Sequence, residues 1–110
     1  MGIRWLGACG VSVFLVGCGS QPEIRVVNET GKDVSYLVIE GPEQRETFGP
    51  LKVGQATEYR SFSRAYRYSP GRYMAEGVMY EMEIFDYVGE QELGSGKHEY
   101  VLTTSGLTIR

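Results

Sequence analysis

The side chains able to carry acid–base chemistry gather in one stretch of this sequence. Glu81 and Glu83 stand two positions apart, with Glu76 before them and Asp86 after. On an extended strand, two residues on one face place their carboxylates ~7 Å apart, a spacing compatible with glycoside hydrolysis. The same spacing describes any solvated strand face. Calcium is a related ligand for such acids, but the Asp-x-Asp-x-Asp-Gly loop that would hold it is absent from the sequence. His98 is the single histidine, on the same alternation as Tyr100 and Leu102. A partly buried imidazole with a satisfied hydrogen bond explains it better than a catalytic base. No Ser-His-Asp order with geometric content can be assembled. The expectation is a chain that is not an enzyme and carries no metal or cofactor, with a carboxylate-based hydrolase or metal binder as the outlying alternative.

A second cluster could bind. Arg60, Arg64, Tyr66, Arg67, Tyr68, Arg72 and Tyr73 lie within fourteen positions that contain no acid. Arginine offers a planar fork for phosphate or carboxylate, and tyrosine a flat amphipathic face for a sugar or headgroup. The functional expectation is a ligand or partner strip for an anionic glycan, an anionic lipid or an envelope protein. Strand alternation complicates it, because Arg64 shares a face with Tyr66 and Tyr68 while Arg67 takes the other. In the competing reading the tyrosines pack inward, and Arg64, Arg67 and Arg72 pair with the acids between Glu76 and Glu83.

The whole chain has 110 residues and a net charge of −3. That length closes one core, and that charge disfavours nucleic acid as a partner. Met1 to Arg4 carries one positive charge, and Trp5 to Val16 is uncharged and mostly apolar. This is the pattern of a secretory signal, too short to span a membrane. It ends at Leu15-Val16-Gly17-Cys18. These four residues resemble the lipobox of bacterial lipoproteins. The resemblance implies a signal peptide over 1–17, cleaved before Cys18, with a diacylglyceryl group on its thiol and acylation of the new amino terminus. Residues 18–23 then form the lipidated cysteine and a tether, and 24–110 the folded domain. Localisation would be extracytoplasmic and membrane-anchored. Gly19 after the cysteine, in place of Asp, suits the outer membrane if the cell has two membranes.

Cleavage leaves 93 residues with ten basic and fourteen acidic side chains, and Cys18 as the only cysteine. An intramolecular disulfide is then impossible, so stability rests on packing. From Ile24 onward β-branched and aromatic residues dominate, with turn signals every 8–12 residues. Val34, Tyr36 and Val38 share one face of a strand, Leu37 and Ile39 the other. Phe48 to Gly54 should cross between sheets. Ser69-Pro70-Gly71-Arg72 predicts a type II hairpin turn, and Val78, Tyr80, Met82 and Ile84 a half-buried strand. Asn28-Glu29-Thr30 matches a glycosylation sequon and reads more simply as a turn.

Seven to nine short strands predict an all-β, antiparallel two-sheet sandwich, Ig-like or transthyretin-like, with a small open barrel as the alternative. The expected core is Val26, Tyr36, Val38, Tyr59, Tyr80, Met82, Ile84, Tyr100 and Leu102. Gly49 to Tyr59, Asp86 to Glu90 and Gly96-Lys97 before Tyr100 resemble stretches of small bacterial lipoproteins of uncharacterised function. That likeness implies a β-sandwich behind a lipid anchor and transfers no site residue. Taken together, these readings predict a lipid-anchored, non-enzymatic binding or structural module of the bacterial envelope. The alternative is a periplasmic inhibitor or assembly accessory that meets one protein partner.

Overall fold

The computed structural model describes residues 21–82 and 91–110. The leader, Cys18, Glu83, Ile84 and Asp86 lie outside them. Nine strands follow in order: β1 Pro22–Asn28, β2 Val34–Glu40, β3 Arg45–Phe48, β4 Arg60–Ser61, β5 Tyr68–Ser69, β6 Gly71–Ala75, β7 Val78–Met82, β8 Gly96–Thr103 and β9 Gly106–Ile109. They form a five-stranded sheet, β4-β1-β8-β9-β5, and a four-stranded sheet, β3-β2-β6-β7. The all-β two-sheet sandwich is as expected. One pair departs from the antiparallel rule: β1 runs parallel to β8, with Pro22 opposite Gly96 and Asn28 opposite Leu102. A parallel pair needs a long crossover, and the second sheet lies within it.

Alternation in β1 sends Ile24, Val26 and Asn28 inward and Arg25 and Val27 outward. In β2 the pairing with β6 slips between Val34 and Tyr36. The bulge moves Val34 onto the face of Leu37 and Ile39, and all three join the core. Tyr36, expected in the core, is left half-buried on the outer face, its hydroxyl 3.7 Å from the Met79 sulfur. Val38 is buried but stands outside the core cluster.

Two further expectations are corrected. Ser69-Pro70-Gly71-Arg72 makes no hairpin, because β5 belongs to one sheet and β6 to the other. Pro70 is the corner between them. Gly71 is needed for close approach: a Cβ there would meet the Val38 carbonyl oxygen at 2.1 Å. The hairpin lies instead at Glu76-Gly77, between Ala75 and its partner Val78. Both turn residues have positive φ, 53° and 76°, as a two-residue type I′ turn requires. Tyr59, also expected in the core, is half-buried outside the five-stranded sheet, between Arg25 at 5.2 Å and Lys97 at 4.9 Å from its ring. The neighbouring side chain Phe62 fills the core instead.

Val26, Met82, Tyr100 and Leu102 are core residues, joined by Ile24, Phe48, Leu51, Tyr73 and Leu107; Tyr80 packs against them, half-buried. The segment after Phe48 crosses between sheets as expected, bridging Val34 through Leu51 and Val27 through Ala56.

The sandwich has two distinguishable ends. At the end where β1 begins, the Gln44 amide reaches the Ser61 carbonyl at 3.1 Å and joins the sheets. At the opposite end Asn28, fully buried, does the same. Its Nδ2 donates to the carbonyls of Lys32 at 2.7 Å and Leu51 at 2.9 Å, and its Oδ1 accepts from the backbone and hydroxyl of Thr30. The Asn28-Glu29-Thr30 sequence is thus a structural turn with every amide atom of Asn28 in use.

Candidate functional site

The arginine–tyrosine stretch does not assemble into one face. Arg60 leaves β4 and lies 4.0 Å over the Phe48 ring, where it bonds Glu46 at 3.1 Å, Glu58 at 2.7 Å and the Thr47 carbonyl at 2.7 Å. Burial disfavours its charge, yet Glu58 and Glu46 outweigh that and hold its pKa above the ordinary value. Arg64 pairs with Glu92 at 3.1 Å and Glu43 at 3.4 Å, and the charge of Glu92 leads in raising its pKa. Arg72, on the outer face of β6, pairs with Glu40 on the neighbouring β2. The partners among the described residues are Glu40, Glu43, Glu46, Glu58 and Glu92, and neither Glu76 nor Glu81 is one of them. Arg67 is exposed, and among the described residues no carboxylate pairs with it.

The tyrosines divide as well. Tyr73 is 2% exposed and stacks on Tyr80 in the core, with centroids 4.8 Å apart, so it offers no face to a ligand. Tyr66 accepts the Tyr100 hydroxyl through its carbonyl, and Tyr68 in β5 pairs with Thr108 of β9. Both are half-buried.

The described acid–base candidates, Glu76, Glu81 and His98, lie on separate elements, and Glu83 and Asp86 fall outside the described residues. Glu81 is exposed on the edge strand β7, opposite Arg72. Glu76 sits in the hairpin turn, 3.8 Å from the Lys32 ammonium. His98 is half-buried at the start of β8 and its Nε2 lies 2.8 Å from the Gly94 carbonyl. Among the described residues no group of three His, Cys, Asp or Glu side chains could hold a metal.

Sequence reading missed the densest charge network, on the outer face of the five-stranded sheet. Glu99 accepts Arg25 at 2.8 Å and Arg110 at 2.6 Å, and Arg110 continues to Glu29 at 2.9 Å. The hydrogen bonds from Arg110 and then Arg25 hold the Glu99 carboxyl below its ordinary range. The chain terminus and β1 are thereby tied to β8. Arg25 faces outward between Ile24 and Val26, and the parallel register sets it opposite Glu99.

Comparison with known proteins bears on the fold alone. No family model and no curated protein matches the sequence. The NMR structure of a protein from Eubacterium rectale is similar over 86% of this chain and 89% of that one, with a TM-score of 0.57 and 12% identity. The likeness spans the sandwich as a whole.

Proposed function

We propose that this protein is a lipid-anchored, extracytoplasmic module of the bacterial cell envelope that acts by binding or as a structural element, without catalysis. The observation that carries the reading is the Leu15-Val16-Gly17-Cys18 motif after a charged start and an apolar run, with β1 beginning at Pro22, four residues beyond the cysteine. A tether that short holds a folded domain close to the headgroups. Acyl chains contribute ~0.8 kcal/mol per buried CH₂, so a diacyl thioether with N-acylation anchors a domain of this size firmly. The membrane, through Cys18, is its first partner, and the outer membrane is the destination in a cell that has two.

The pairing of Arg60, Arg64 and Arg72 with carboxylates supports a structural role for the arginine–tyrosine stretch. An anionic glycan or lipid would find only Arg67 uncommitted there. Glu40, Glu46 and Glu99 on the sheet faces are likewise engaged by arginines, which supports a structural use of these carboxylates.

Intact mass of the protein from its own membranes tests the anchor. The expected product begins at Cys18 and carries the acyl groups, and Cys18→Ser leaves an uncleaved or soluble chain. A free Cys18 thiol in the wild-type protein overturns the reading.

A further inference from the structure

Among the described residues each sheet has two edge strands, and three of these edges are short or capped. β4 and β5 have two residues each, and Pro70 follows β5 directly. The Thr47 carbonyl of β3 accepts the Arg60 guanidinium at 2.7 Å, so Arg60 caps that edge. β7 is different. Its five residues, Val78 to Met82, include no proline and no lysine, and among the described residues no strand lies beyond it. An edge of this kind is a template for a further strand.

The hairpin fixes which backbone groups of β7 are unpaired. Ala75 and Val78 flank its two-residue turn, and residues in that position exchange both backbone hydrogen bonds. Alternation makes Tyr73 with Tyr80, and Gly71 with Met82, the next exchanging pairs. The amides and carbonyls of Met79 and Glu81 therefore aim away from β6, and none has a partner among the described residues. Between them stands Tyr80, half-buried, stacked on Tyr73 with centroids 4.8 Å apart and planes at 9°. That distance is the spacing of adjacent strands. The Lys32 ammonium is 3.2 Å from the Tyr80 hydroxyl and 5.5 Å from the ring centre, so it lies toward the hydroxyl end of the ring.

We infer that β7 is a self-association edge, which joins two copies of this chain antiparallel into one continuous sheet. A second copy is the occupant because β7 is complementary to itself. About a two-fold axis through Tyr80, Met79 of each copy stands opposite Glu81 of the other, and every outward amide and carbonyl of these residues finds a partner. Tyr80 meets Tyr80 across the axis, so the Tyr73–Tyr80 stack continues into the second copy at the same spacing. Moving the axis to Glu81 sets two carboxylates face to face, and moving it to Met79 leaves the Glu81 groups against the Glu76-Gly77 turn. Only the Tyr80 register avoids both. Two strands of this length bury less than the ~1,200–2,000 Å² of a stable complex, so the dimer is weak, with a Kd of ~10 µM to ~1 mM. The pairing needs neither the anchor nor any residue outside the described ones.

Sedimentation equilibrium of the full-length chain in density-matched detergent reads the protein mass whether or not Cys18 is acylated. The expected result is a reversible monomer–dimer equilibrium. Met79→Glu sets a carboxylate opposite Glu81 of the other copy, twice per dimer, and should raise the Kd about fivefold or more. Met79→Lys, facing the same Glu81, should not raise it. Both replace an exposed side chain, so the core is left intact. Thr108→Glu, exposed on the other sheet, should leave the Kd unchanged. The register is read with two differently tagged chains, Met79→Cys and Glu81→Cys, mixed under mild oxidant. Directly opposed positions, ~5.5 Å apart between Cα atoms, suit a disulfide, so the mixed link should form faster than a link within either variant. A monomer throughout the submillimolar range, a dimer that Met79→Glu leaves unchanged, equal loosening by both Met79 variants or by Thr108→Glu, or a mixed link no faster than the others overturns the proposal.

Discussion

Gly71 and Val38 approach so closely across β6 and β2 that no side chain fits between them. A Cβ on Gly71 would lie 2.1 Å from the Val38 carbonyl oxygen and 3.3 Å from the Ile39 Cα, both backbone atoms that cannot swing aside. Gly71→Ala must therefore shift the β2–β6 pairing at the corner where the chain changes sheets. We expect a loss of about 2 kcal/mol or more, the scale of overpacking in a core. Chemical denaturation measures it, and a variant as stable as the wild type would show that the corner is slack.

Asn28 is the polar counterpart of that contact at the far end. Asn28→Ala takes one of two donors from the Lys32 carbonyl, which keeps the Thr30 hydroxyl, and from the Leu51 carbonyl, which keeps the Val34 amide, and it leaves the Thr30 amide without its acceptor. Losing these bonds together costs on the order of 1–3 kcal/mol. The expected outcome is a melting temperature lowered by many degrees, with faster hydrogen exchange at Gly54 and Gln55, whose amides depend on that end of the sandwich.

Tyr73 and Tyr59 separate core from surface. Tyr73→Ala removes a buried, stacked ring and should cost ~3–5 kcal/mol, much of a small domain's stability. Tyr59→Ala removes a half-exposed ring between two cations and should cost about 1 kcal/mol. Equal losses, measured by denaturant unfolding, would mean that Tyr59 is packed inside after all.

Arg72 and Glu40 offer a charge-swap test. Arg72→Glu sets two carboxylates together on the outer face of the four-stranded sheet and should destabilise the domain, while Glu40→Arg in the same chain restores most of the loss. If Arg72 belonged to a ligand strip instead, the swap would restore nothing that depends on that ligand.

Acid stability follows from Glu99. Its folded-state pKa lies below the unfolded one, so its contribution is fully present above the unfolded value near 4.3 and fades as pH falls through the folded value. Glu99→Gln should flatten the stability profile over that acidic range and leave the profile above it parallel to the wild type. Thermal melts at a series of pH values read the difference.

The turn chemistry and the β-rich composition of this chain were legible without coordinates. Glycine and proline between Phe48 and Gly54 mark the crossing between sheets. Pro70-Gly71 was misread for a physical reason. Proline followed by glycine signals a change of direction, but the same signal serves a hairpin and a corner between sheets, and only the partners of β5 and β6 tell them apart. Glu76-Gly77 was passed over because glutamate rarely accepts the positive φ that it takes there.

The sequence by itself determined that this chain is all-β, where most of its strands break, and that a lipobox-like motif stands before the domain. Those properties reside in residue types and short spacings, which local sterics and composition translate directly. Which faces look inward, and which charges remain free, only the tertiary structure decided. One bulged residue in β2 reverses the parity of Val34 relative to Tyr36, and strand periodicity counts parity without seeing bulges. The arginines looked uncommitted because no acid lies among them in the chain. Glu40 and Glu92 are 32 and 28 positions away from Arg72 and Arg64, and only the folding of two sheets brings them within pairing distance.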